Sequence, residues 1–358
     1  MKHRSLIGLL VLVLLLSAGC HTHEHVVLVS AKGDAVQSPA QAVAESTRTA
    51  ATAVLASLTD EQKKLAVYDI KAPLRKDWHF IPRERKGLMF GDMTVEQKTL
   101  VHKLMQTALS DSGYLKATDI IWLESVLYEL SNQSPMRSPN NYVLQIYGDP
   151  ADEKAAWGWR LEGHHLSINL TYTPDGIGVT PLFFGTNPAV VKTGPLAGKR
   201  VLSDAHDQAV SFASSLNEDQ RKKMMLKAKP RDVVTGPGRE SKLDQPAGIS
   251  IDALSASQQD ELLLLVWTHL NSLDSTHAKS LYWDVVNLFG DAPVLHGYTF
   301  AWAGPIDVDQ PFYYRIHSPR FVIEYTCQGN NHVHAVIHDL SDPLQEDLLK
   351  KHFEQHEH

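Results

Sequence analysis

Between Trp157 and Tyr172 the chain reads WGWRLEGHHLSINLTY. Leu166, Ile168 and Leu170 alternate there with Ser167 and Asn169, the two-residue period of a strand with one buried face. Gly163-His164 fits the tip of a tight hairpin between two such strands. Elsewhere the apolar period is helical. Leu100, Val101, Leu104, Met105, Ala108 and Leu109 follow Thr94 at helical spacing, and Leu262, Leu265, Val266 and Leu270 follow Ser255. Third helices are expected near Thr118 to Leu130 and Ser275 to Leu288. Capping residues with Gln three positions on mark four helix starts: Thr59/Gln62, Thr94/Gln97, Asn217/Gln220 and Ser255/Gln258.

The elements occur twice. Trp157-Gly-Trp-Arg-Leu aligns with Phe312-Tyr-Tyr-Arg-Ile 155 residues later, and the register carries Leu166 onto Phe321 and Asn169 onto Glu324. Strands are expected before the hairpins at Tyr142 to Tyr147 and His296 to Trp302, and after them at Ile177 to Phe184 and His332 to His338. Each half thus reads as helices followed by an antiparallel meander. The expected class is α+β, with two internal repeats, 56–200 and 201–358, packed pseudo-symmetrically.

Composition adds a location and removes some functions. The net charge of −7, with no Lys/Arg run, argues against nucleic acid as a partner. Lys2, His3 and Arg4 precede an apolar run, Leu6 to Leu16, that is too short to span a bilayer; Ser17-Ala18-Gly19-Cys20 follows. This resembles a bacterial lipoprotein signal. Residues 1–20 are read as that signal, with Cys20 lipidated and anchoring the protein to a membrane of the bacterial cell envelope, facing the periplasm. Residues 21–55, rich in Ala, Ser, Thr, Val and His, are read as a flexible tether that runs into a short helix ending near Ala56. Cys327 is the only other cysteine, so lipidation of Cys20 leaves no disulfide. No Rossmann glycine pattern, P-loop, nucleophile elbow or HExxH motif occurs.

The repeat sorts candidate chemistry. Positions alike in both halves are read first as architecture: Arg160 with Arg315, and Trp157 and Trp159 with Phe312 and Tyr314. Positions where one half departs toward reactive residues are better candidates. His332 and His334 stand where the first half has Ile177 and Val179, and their spacing puts both imidazoles on one strand face, a common way to hold Zn or Cu. His338 shares that face. His164 and His165 replace Pro319 and Arg320; successive strand residues face opposite ways, so both join one site only if the turn bends both inward. Glu162 and Glu324 are the candidate acid/base carboxylates. Trp78, His79, Arg83 and Arg85 suit a grip on a small anionic or polar ligand, with Arg160 and Arg315 as further candidates.

The segments WHFIPRERKGL, WGWRLEGHHLSINLT, PLFFGTNPA, FYYRIHSPRFVIEY and NHVHAVIHD together resemble domain-of-unknown-function family 3500 (DUF3500), over about Leu58 to the C-terminus. The family pattern falls on Trp78, His79, Arg83, Arg85, Trp157, Trp159, Arg160, Glu162, His164, His165, Asn187, Arg315, Glu324, His332 and His334. His338 stands where the pattern leads one to expect arginine, which lowers it as a ligand. The resemblance implies no established activity. The leading expectation is therefore a metal-dependent enzyme of the envelope, a hydrolase with Zn or an oxidase with Cu. A non-catalytic lipoprotein that binds metal or a small anion is the alternative. A structural envelope protein without a site is the third reading, and it requires these histidines to be scattered in space.

Overall fold

The computed structural model describes residues 39–279, 297–329 and 331–355. The expected signal segment, Cys20 and residues 21–38 lie outside them, as do most of the helix expected at Ser275 to Leu288 and the first residue of the strand expected at His296.

The first half begins with α1 (Pro39–Ser57), α2 (Asp60–Ala66), α3 (Val95–Ala108) and α4 (Asp111–Leu130). The short strands β1 (Val67–Tyr68) and β2 (Leu88–Met89) lie between α2 and α3. The meander follows: β3 (Val143–Tyr147), β4 (Trp157–Gly163), β5 (Leu166–Thr173), β6 (Gly176–Gly178) and β7 (Leu182–Thr186). The second half has α5 (Ser203–Ser215), α6 (Glu218–Met224), β8 (Ile249–Ser250) and α7 (Ala256–Leu270). It continues with β9 (Thr299–Ala303), β10 (Tyr313–His317), β11 (Phe321–Cys327), β12 (Val333–Asp339) and α8 (Glu346–Gln355). The class is mixed α+β.

All twelve strands join one sheet, in the order β1-β3-β4-β5-β7-β12-β11-β10-β9-β8, with β2 on β3 and β6 on β5. Only β1 and β3 pair in parallel among these strands. The two meanders meet where β7 pairs with β12, and Gly185 there lies opposite His334. The hairpin registers follow the alternation of the sequence: Arg160 lies opposite Asn169, and Arg315 opposite Glu324.

All four capping boxes form, because each cap side chain takes the N–H three residues on and each Gln returns to the cap N–H. The Gln side chains do more than cap. The amides of Gln62 and Gln97 bond each other at 3.0 and 2.8 Å, and those of Gln220 and Gln258 at 2.9 and 3.1 Å. Each pair locks one helix start onto another.

Three local expectations change. The short helix expected to end near Ala56 is longer, spanning Pro39–Ser57, because Thr47, Ala51, Val54 and Leu58 form a buried stripe at helical spacing. The strand expected over Ile177 to Phe184 is split into β6 and β7, since Pro181 has no N–H for the ladder. The tip of the first hairpin is His164-His165, with Gly163 still paired to Leu166. Gly163 is required in the strand: a Cβ there would lie 2.3 Å from the Tyr142 ring.

The main core lies between the helices and one sheet face, and includes Leu104, Ile120, Leu161, Ile168, Phe184, Leu265, Tyr314 and Ile337. A smaller core of Trp78, Phe80, Phe183, Val233 and Val336 lies on the opposite face, under the loops around residues 78 and 233. Side chains of the even-numbered β12 residues His334, Val336 and His338 fall on that second side, so histidine chemistry and loops share one face.

Candidate metal centre

His165 has φ 64°, in the left-handed region that few non-glycine residues adopt. That reversal brings two successive imidazoles to the same side: the rings of His164 and His165 lie 3.6 Å apart, centroid to centroid. The turn is held by His165 N–H donating to the Phe80 carbonyl (2.9 Å) and by Gly185 N–H donating to the His165 carbonyl (2.7 Å).

The turn faces β12. His165 Nε2 is 2.7 Å from His332 Nε2, and the His332 and His334 rings lie 4.5 Å apart at 89°. His165, His332 and His334 each offer a ligand atom within 4.8 Å of the other two. His334 Nδ1 bonds the Asp232 carboxylate at 2.7 Å, and its Nε2 is buried without a partner. A carboxylate on one ring nitrogen fixes the tautomer and leaves the other free to bind a metal. Gly185 supplies the clearance: a Cβ there would lie 2.9 Å from His334 Cδ2 and 3.0 Å from His165 Cδ2.

Glu124, His164 and His165 form a second such group. Glu124 Oε1 is 2.5 Å from His164 Nδ1, and Glu124 Oε2 is buried without a partner. Burial pushes the Glu124 carboxyl up to about 8, against the pull of Arg137 and Arg85. Burial, then the Arg137 charge, drives the His164 imidazole down to about 2. Both shifts favour the uncharged forms of the pair. Burial, then its histidine neighbours, holds His165 well below the usual range and takes His332 to about 4. Neutral imidazoles are the form that binds metal. Burial works to raise Asp232, but its hydrogen bond to His334, the nearby His334 and His332 and the Val233 N–H together outweigh this and hold it below the usual carboxylate range.

The expected acid/base residues stand elsewhere. Glu162 accepts from Arg85 Nε (2.7 Å), His79 N–H (2.7 Å) and the Ser167 hydroxyl (3.1 Å). Glu324 accepts from the N–H groups of Val234 (2.7 Å) and Thr235 (2.8 Å), from the Thr235 hydroxyl and from Tyr313 (2.6 Å). Both carboxylates pin loops to the sheet, and their lone pairs are occupied by that task. The same correction applies to most of the expected anion grip. Trp78 is fully buried and donates to Glu240 at 2.7 Å. Arg160 is spent on Asn169, Gln145 and the carbonyls of Leu74, Arg75 and Asp77. Arg85 bonds Glu162 and the carbonyls of His79, Ile81, Arg83 and Gly163. Arg83 pairs with Asp77 at 2.6 Å. The His79 ring lies in the same loop, its Nδ1 buried without a partner. Arg315 sits in the β10 ladder with its Nε buried and unbonded. His338 bonds the Thr235 carbonyl at 2.7 Å, outside either three-residue group.

A cleft of about 240 Å³ opens onto Glu124 and His164 and is walled by Arg83, Arg85, Met89, Met136, Tyr142 and Val143 among others. Sequence reasoning missed Glu124, Asp232 and Arg137. Glu124 left one signal, a carboxylate on the buried stripe of an apolar helix beside Ile120, Ile121, Leu123 and Leu127. Asp232 and Arg137 left none.

The fold and site thus define an α+β protein whose sheet carries a buried histidine cluster with carboxylate partners. The family model described as "Protein of unknown function (DUF3500)" matches residues 40–342, and the chain belongs to that family. No curated protein matches it, and no solved structure does.

Proposed function

We propose that this protein is a metal-dependent enzyme in which His165, His332 and His334 hold a Zn or Cu ion, with hydrolysis as the Zn-dependent reaction. The observation that carries this reading is the convergence of three imidazoles, one with a carboxylate on its far nitrogen and a buried, unpartnered Nε2. Three protein ligands leave a fourth position for water or substrate, the arrangement of catalytic rather than structural sites. A bound Zn²⁺ would bring the pKa of a water there to about 7. Glu124 replaces Glu162 and Glu324 as the acid/base candidate: it borders the cluster, and its Oε2 is uncommitted.

The test is metal analysis of untagged protein against the His332→Ala/His334→Ala double variant. About one equivalent in the wild type and a near-complete loss in the variant is expected; equal or nil content in both ends the reading. Carbonyl compounds would then be screened for hydrolysis by the Zn form.

The wider setting is also proposed. Lys2 to Cys20 supports export and lipid anchoring at Cys20, with the domain facing the periplasm. Palmitate labelling that persists in Cys20→Ser would refute the anchor. The paired Gln locks and the equal hairpin registers support a chain built of two repeats related by a pseudo-twofold between β7 and β12.

A further inference from the structure

We infer that a cavity of about 610 Å³ on the helix face of the sheet is a second ligand site. It takes a small molecule with an apolar body and one oxyanion, a carboxylate or a phosphate, held by Lys192, Thr186 and the N-terminus of α5. The site is separate from the histidine cluster. Thr186 and Val333, paired across β7 and β12, line the cavity, whereas their neighbours Gly185 and His334 face the cluster on the other side of the sheet. Thr186 is 1% exposed, and its Oγ1 is buried without a partner. Buried hydroxyls are normally bonded, so one left over beside an open cavity is a donor for whatever enters it.

The start of α5 adds backbone donors. α6 and α7 begin with capping boxes, but Leu202, at the N-cap of α5, makes no side-chain cap. His206 N–H is the first to reach an intrahelical acceptor, the Leu202 carbonyl, which leaves the N–H groups of Ser203, Asp204 and Ala205 without one. Leu202 and Ser203 line the cavity, so the positive end of the helix dipole faces it. Lys192 lines it too, is exposed, and makes no ion pair or hydrogen bond among the described residues. Two carboxylates share the lining. Asp207 is matched by Arg200 through bonds of 2.8 and 2.6 Å, and Asp309 is exposed, where water and salt screen it. Asp204, in the first helical turn, accepts from the Ser203 hydroxyl and borders a different, smaller cavity. Lys192, the Thr186 hydroxyl and the Ser203 N–H are therefore donors open to an oxyanion. Val190, Leu202, Val308, Tyr325 and Val333 supply an apolar wall for the body of the ligand.

The test titrates the protein calorimetrically with octanoate, octyl phosphate and uncharged 1-octanol. At least one anion is expected to bind tenfold or more tighter than octanol, and the tighter anion names the class. That preference should fall at least fivefold in Lys192→Met and in Thr186→Val, and rise in Asp309→Asn. Val in place of Thr186 removes an unpaired buried hydroxyl at nearly constant shape, so the melting temperature of that variant should hold or rise. A lower anion affinity there is then a binding effect and not a loss of fold. Equal binding of octanol, binding of no probe, or an anion preference that survives Lys192→Met or Thr186→Val overturns the proposal. Metal at the histidine cluster plays no part in any of these outcomes.

Discussion

At the scale of single residues, burial and hydrogen-bond count decide which reactive side chains are chemical. Glu324 has no exposed surface and accepts from two backbone N–H groups and two hydroxyls. Removing it leaves those donors buried and unpaired, each costing about 1–3 kcal/mol. Glu324→Ala is therefore expected to lower stability by roughly 3 kcal/mol or more in denaturant unfolding, a loss far above that of an exposed Glu61→Ala. A loss below about 1 kcal/mol would return Glu324 to the list of uncommitted carboxylates. The histidines were legible because His332 and His334 break the likeness of the halves, whereas Glu124 and Asp232 were not. They reach the cluster from 40 residues before His164 and 102 before His334, and only tertiary packing brings them there.

At the scale of elements, local chemistry was read well and its partners poorly. Capping boxes and strand alternation depend on neighbours three or two positions away, so they are written in the sequence. The mutual bonding of Gln62 with Gln97, and of Gln220 with Gln258, is a second layer that spacing alone does not reveal. Gln97 is buried and bonds the Thr94 N–H, the Ser57 carbonyl and the Gln62 amide. Gln97→Ala and Gln258→Ala should each cost about 1–2 kcal/mol. Comparable losses are expected from thermal melts of the two variants; a loss confined to one would show that the locks carry unequal weight. The split of β6 from β7 and the inward double turn at His164-His165 depend on Pro181 and on a left-handed backbone at His165, neither of which alters the apolar pattern.

At the scale of the molecule, one sheet is covered on both faces, and the cost is several histidines buried in neutral form. Burial, then the Lys116 charge, takes His269 down to about 3, and burial takes His338 to about 4. The unfolded chain protonates both near 6.5, so between there and about 4 it binds more protons than the folded protein. Stability is thus kept above about pH 6.5 and lost as pH falls toward 4, by about 3 kcal/mol from His338 alone. Melting temperature should fall over that range, and less steeply in His338→Gln; an identical slope in the variant would contradict the assignment.

The central claim is that three histidines from two distant segments form one metal site, and it is tested most directly by anomalous diffraction from crystals of the metal-loaded protein at the metal absorption edge. The account predicts one strong peak about 2.0–2.1 Å from the Nε2 atoms of His165, His332 and His334, with Asp232 still on His334 Nδ1. A peak bound to other residues, or none at this cluster in protein that carries metal, would contradict it.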